Sequence, residues 1–310
     1  MTSGRRISRL AALLLPVALC LAGCAGGVVK PVSVPRAQAM EHNRRGVEAE
    51  ARGERGKALA EFAEALRLHT SVDNTDGMIV ALVNSARTQR LGGDLQSARL
   101  SVERGASLLA DGSGLASELY YEKAKILAAA GDLPAALQWA QRAEAAEQGE
   151  ALGRRLNLVA ALKLKQGFPD QAGELLERAL AANREAKLRG EEANSLRLLG
   201  EIHLLQGACA KASESYLGAL VLDKELGFSG KIAGDLAGLG SVSAASGDIK
   251  GAIGWYLRAL EASRAGGDTA KAAATLEKLA QLYRLNGEVE SAKLLEEQRK
   301  ELLASGVARE

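Results

Sequence analysis

Seven glycines divide most of this chain into equivalent segments: Gly53, Gly93, Gly131, Gly167, Gly207, Gly247 and Gly287, spaced by 40, 38, 36, 40, 40 and 40 residues. A fixed internal period is the mark of a stacked array, and a plain helical bundle has no reason to keep one. Other columns repeat with the glycines. Ala stands five residues after each one, from Ala58 to Ala292. Gly or Ala stands seven before: Gly46, Ala86, Ala124, Ala160, Gly200, Gly240 and Ala280. Nine residues after come Phe62, Val102, Ala140, Leu176, Tyr216, Tyr256 and, last, Glu296. Twelve after, five of the seven positions are Ala.

Offsets of +5, +9 and +12 share one face of a helix. The small residues at −7 and +5 lie on either side of the glycine. They are expected to face each other if the glycine turns the chain between two antiparallel helices. A glycine ends the first helix where a left-handed backbone is needed. Asp94, Asp132 and Asp248 each follow one of these glycines and are placed to cap the second helix. Composition agrees. The chain of 310 residues is 47% hydrophobic but only 3% aromatic, with five prolines, which suits thin aliphatic helices packed closely.

The pattern resembles the tetratricopeptide repeat, most closely over Gly247–Leu260 (GDIKGAIGWYLRAL). The resemblance covers about residues 37–304. It implies an all-α, right-handed solenoid of seven helical hairpins. Two features depart from the family. The period is nearer 40 than the usual ~34, and the family's proline after the second helix is absent. Both predict longer helices or longer connections. Breakers at Asp73-Asn74, Asp111-Gly112-Ser113-Gly114, Gly149, Gly227 and Gly266-Gly267 mark the turns between hairpins. The last hairpin carries Glu296, Arg299 and Lys300 where earlier ones are apolar, as a terminal cap requires.

Before the array stands a different segment. Arg5, Arg6 and Arg9 precede an apolar run from Leu10 to Leu19, too short to span a bilayer and of secretory length. It ends in Leu21-Ala22-Gly23-Cys24. This resembles the bacterial lipobox, which implies cleavage before Cys24 and acylation of its thiol. Several acyl chains give a stable membrane anchor. Ala25 leans the destination towards the outer membrane, facing the periplasm. The expected organisation is a signal peptide over 1–23, a Gly- and Pro-containing tether over 24–36, the solenoid over 37–304 and a tail over 305–310.

Charge excludes one class of partner. Three of the 40 basic residues lie in the leader, which has no acid, so 37 stand against 38 acidic residues in the remainder. Nucleic-acid binding needs a strong basic footprint. No catalytic constellation is found. His42, His69 and His203 have no metal-binding spacing, there is no CxxC pair, and Gly230-Lys231 lacks the rest of a phosphate loop. Cys209 has no intramolecular partner once Cys24 carries lipid. No enzyme activity, metal or cofactor is expected.

The family resemblance implies a partner on first-helix side chains, at offsets −10, −6 and −3. These columns offer Asn43, Tyr121, Asn157 and Arg197, then Arg87 and Lys125, then Arg90. The cations predict an acidic peptide or carboxylate terminus. Hairpin six offers Ala237, Ser241 and Ala244, a bare patch suited to a packing helix. The expected role is an anchored interaction scaffold in the bacterial envelope, serving secretin, pilus or cell-wall machinery. A regulatory or adaptor subunit of an envelope enzyme is the alternative.

Overall fold

The computed structural model describes residues 33–307, so the leader, Cys24 and most of the tether lie outside the described residues. Within it, fourteen helices follow one another: α1 (Val34–Ala51), α2 (Arg55–Ser71), α3 (Thr75–Leu91), α4 (Leu95–Ser107), α5 (Ala116–Ala129), α6 (Leu133–Ala145), α7 (Leu152–Lys165), α8 (Pro169–Glu185), α9 (Arg189–Leu205), α10 (Cys209–Leu226), α11 (Ser229–Ala245), α12 (Ile249–Ala265), α13 (Thr269–Leu285) and α14 (Val289–Val307). The first begins at Val34 rather than 37, because Pro35 sits in its first turn, where a missing N–H costs nothing. The last runs past 304 to Val307.

Each repeating glycine stands between the two helices of a hairpin with φ between +71° and +86°. The residue after it donates its N–H to the carbonyl five residues back. Glu54 N to Ala49 O (2.9 Å), Ala208 N to His203 O (2.8 Å) and Glu288 N to Tyr283 O (2.8 Å) are examples. This bond closes the first helix and fixes the exit direction of the second. Asp94, Asp132 and Asp248 then accept from Ser97 N, Ala135 N and Gly251 N at 2.9–3.1 Å, as the sequence predicts. The same turn recurs between hairpins at Gly227 and Gly267, and at the non-glycine positions Asp73 and Lys187.

In hairpins two to four the Ala at −7 clusters with the Ala at +5, as expected, and also with the residue at +9. In the hairpins with Gly at −7 the tightest approach is to the ring at +9. A Cβ on Gly46 would stand 2.4 Å from the Phe62 ring, one on Gly240 2.7 Å from Tyr256, and one on Gly200 3.0 Å from Tyr216. Where −7 is Ala, +9 is smaller: Ala86 with Val102, Ala124 with Ala140, Ala160 with Leu176. The largest +9 side chains, Phe62, Tyr216 and Tyr256, thus go with Gly at −7, as close packing demands.

Hairpins stack in order, and each second helix packs on the next first helix. First helices also pack on each other: α1 on α3, α3 on α5, α7 on α9, α9 on α11 and α11 on α13. Second helices of neighbouring hairpins have no comparable packing. The stack is therefore tight on the first-helix side and splayed on the other, so first helices form the inner face. At the C-terminal end, Arg284 pairs with Glu296 (2.5 Å) and Arg299 with Glu277 (3.0 Å). These pairs join the two helices of the last hairpin, α13 and α14.

The Gly46–Phe62 pair gives a test. Replacing Gly46 with Ala gains about 1 kcal/mol of helix propensity but overpacks against Phe62, at about 1–3 kcal/mol. Gly46→Ala is expected to lower the unfolding midpoint. Adding Phe62→Leu, which reproduces the Ala160–Leu176 pairing, should leave the double variant more stable than the summed single effects predict.

Candidate functional site: the inner face

The predicted inner-face residues stand on first helices, but most of their polar groups are engaged inside the solenoid. Arg87 Nε donates to Glu50 at 2.9 Å and its Nη2 to Asn84 Oδ1 at 3.0 Å. Arg90 Nε donates to Glu122 at 2.6 Å, and that carboxylate is only 1% exposed. Arg197 lies between Asp235 (2.6 Å) and Asp223, both fully buried. Asn157 is buried, donates to the Glu191 carbonyl (3.0 Å) and accepts from Ser195 (2.7 Å). Tyr121 holds the guanidinium groups of Arg154 and Arg155 at 4.4 and 4.6 Å, with Lys125 at 5.2 Å. Burial, with Arg90 nearby, pushes the Lys125 ammonium below its ordinary value. Asn43 Oδ1 and Arg90 Nη2 are buried without a hydrogen-bond partner, as are Asn183 Oδ1 and Asp223 Oδ1 at the joints.

Of the cations that predicted an acidic partner on hairpins two, three and five, Arg87, Arg90 and Arg197 are thus neutralised in place by Glu50, Glu122, Asp223 and Asp235, while Lys125 has no ion-pair partner among the described residues. These acids lie on the neighbouring hairpin or the second helix. Nothing local in the sequence marks them as partners.

One register rule organises the joints. The residue at −10 in one hairpin meets the residue at −12 in the next. Val83 and Leu119 share a core cluster. Tyr121 stacks on Arg155, Asn157 bonds Ser195, and Arg197 pairs with Asp235. At the end of the preceding second helix, Asn183 and Asp223 complete the last two joints. At the joint of hairpins six and seven the pair is Ala237 and Thr275. There a cavity of about 340 Å³ opens, lined by Ala237, Thr275, Ala274, Tyr256, Lys271 and Lys278 among others.

Two further cavities bear on function. One of about 370 Å³ lies between α1 and α3, where buried His69, held by Asn74 (2.8 Å), faces Met40 and Val80. Burial keeps this imidazole below its ordinary pKa. The other, about 640 Å³, lies at the turns leading into α7, α9 and α11, beside Lys187, Arg189 and the half-exposed Phe228. Among the described residues no group of His, Cys, Asp and Glu is placed to hold a metal, and no helix is long and apolar enough to cross a membrane. His203 is half-buried against Ser215 (3.2 Å) and Cys209 is a free thiol at the start of α10.

The Arg197 joint predicts a pH dependence. Burial, aided by the neighbouring Asp223, pushes Asp235 up to about 6 against the pull of Arg197. Between the ordinary carboxylate value and that pH, the folded chain keeps a proton that the unfolded chain releases. Stability should therefore fall as pH rises from about 4 to about 6. Asp235→Asn should be more stable than the parent above pH 6, by about 1–3 kcal/mol, with the gap closing by pH 4. Denaturant titrations at the two pH values measure it.

Residues 153–224, hairpins four and five, match the tetratricopeptide repeat family. No curated protein matches the chain. A Rap protein complexed with Competence and Sporulation Factor is similar at 16% identity and a TM-score of 0.68, over 87% of this chain and 77% of that one. Aspartyl phosphate phosphatase F from Bacillus subtilis is similar at 14% identity and a TM-score of 0.64, over 86% and 70%. Pseudomonas aeruginosa PilF gives 14% identity and 0.55, over 77% and 97%. Such identities speak to fold alone. With the repeating Gly turn, the Ala column and stacked hairpins along its whole described length, the chain is a tetratricopeptide-repeat solenoid.

Proposed function

We propose that this chain is a membrane-anchored interaction scaffold of the bacterial envelope, that it binds a segment of another protein on its inner face, and that it performs no catalysis. The carrying observation is the inner face itself. First-helix side chains line it, the joints beneath it are rigidly paired, and unfilled cavities open onto it at two joints. A rigid surface with preformed cavities is the usual form of a binding site. The Rap protein of the same fold, solved with Competence and Sporulation Factor, supports an interaction role.

Anchoring rests on the sequence of the leader and on Cys24. Placement in the outer membrane facing the periplasm rests on Ala25, and a role in assembling secretin, pilus or cell-wall machinery extends that placement. The likeness to Pseudomonas aeruginosa PilF is in keeping with it. A regulatory or adaptor subunit of an envelope enzyme would use the same inner face, and differs in that a purified complex would lose activity without this chain.

Crosslinking in cells followed by recovery of the full chain from membranes tests this reading. The parent chain should fractionate with membranes and bring down one stoichiometric envelope protein. Cys24→Ala should leave the membrane fraction and lose or relocate that partner. A Cys24→Ala chain that stays on the membrane contradicts the anchor, and a parent chain without any partner contradicts the scaffold.

A further inference from the structure

The joint between hairpins six and seven breaks the rule that governs its neighbours. At −10, hairpins two to five carry Val83, Tyr121, Asn157 and Arg197, and each side chain reaches the −12 residue of the next hairpin. Hairpin six carries Ala237, whose methyl group cannot fill the same slot. The result is the 340 Å³ cavity between α11 and α13. The slot is not closed by the layer beneath, since its floor is made by Tyr256, Ser263 and Thr275.

The chemistry of the slot differs from that of the joint before it. There Asp223 and Asp235 hold the Arg197 guanidinium. The equivalent positions here are Ser263 and Thr275, both neutral. Their hydroxyls donate to the Ala259 and Lys271 carbonyls at 2.8 Å, and the Ser241 and Tyr256 hydroxyls bond each other at 2.7 Å. The floor therefore has no unspent donor and no charge, and the walls are mostly methyl and ring carbon. At the rim stand two lysines and no carboxylate. Lys271 pairs with Asp268 at 2.7 Å, while Lys278 has no ion-pair partner among the described residues. The adjacent Glu277 is taken by Arg299.

We infer that this slot receives a large apolar side chain, of the size of Phe, from an extended partner segment that carries carboxylates beside it. The partner residue takes the place that Tyr121 and Arg197 fill from within the chain at earlier joints. Its apolar body displaces water from methyl-lined walls, and the flanking carboxylates meet the one rim cation the solenoid leaves unpaired, with Lys271 beside it. This inference rests on the inner-face reading above and gives it an address. The acidic complement expected on hairpins two, three and five is placed instead at hairpins six and seven, where Lys278 has no ion-pair partner among the described residues.

The test uses the full chain and a fluorescein-labelled peptide amide, Glu-Phe-Asp-Glu, followed by polarisation. The peptide should bind. Ala237→Leu, which fills the slot from within, and Lys278→Glu, a change at an exposed position, should each weaken it by roughly tenfold, about 1.4 kcal/mol. Peptides with Ala for Phe, or Gln and Asn for the acids, should weaken by a similar factor. No binding at millimolar peptide, binding indifferent to both variants, or equal binding of the neutral peptide overturns the inference. The two readings fail separately. If the crosslinked envelope partner is recovered equally by parent, Ala237→Leu and Lys278→Glu chains, the slot is wrong and the inner face stands. If partner crosslinks map to second helices, the inner face itself is wrong.

Discussion

Everything in this solenoid depends on how closely two helices of a hairpin approach, and that is set by one pair of residues. A residue without a side chain, or with a single methyl, stands at −7 in every hairpin, and where it is Gly the volume it gives up is taken by the ring at +9. Gly46 with Phe62 and Gly240 with Tyr256 are one solution, and Ala160 with Leu176 is another. The left-handed glycine at the turn delivers the two helices to this contact. Because interiors are packed to crystal density, the pair fixes the hairpin as a rigid unit. Stacking such units then gives stability by nearest-neighbour terms.

Between units the chain uses polar chemistry where an ordinary core would be apolar. Arg197 with Asp223 and Asp235, Arg155 with Glu147 and Ser117, and Asn157 with Ser195 and Asn183 are buried networks at successive joints. Such pairs add little net stability over apolar substitutes, but removing the last partner of a buried charge is costly. Their effect is to fix the register between neighbours, since a slip of one turn would strand a charge. Joints held this way present the inner face as a fixed surface, so a partner segment pays no ordering cost on the solenoid's side.

The hairpin plan was legible in the sequence because its determinants are local and periodic. The turn glycines, the capping Asp94, Asp132 and Asp248, and the charged terminal hairpin all stand where the spacing places them. At Lys187 only the period places the turn, because a lysine with positive φ has no signature of its own. The inner-face charges misled for a similar reason. Arg87 and Arg197 sit at partner-facing offsets, and Glu50 and Asp235 that neutralise them lie 37 and 38 residues away. A buried carboxylate on another hairpin reads in sequence like any solvated one. The column at −12 holds the missing information: Arg155, Ser195, Asp235 and Thr275 are polar at a position whose helical phase points inward.

On the proposed reading, the first-helix side carries the interaction. Photo-crosslinking residues placed singly along the chain test it most directly: at Val47, Ser241 and Glu277 on first helices, and at the exposed Leu100, Leu217 and Leu257 on second helices. Irradiation in cells should give partner adducts from the first-helix positions and none from the second-helix leucines. Adducts confined to Leu100, Leu217 or Leu257 would place the partner on the outer face and contradict the account.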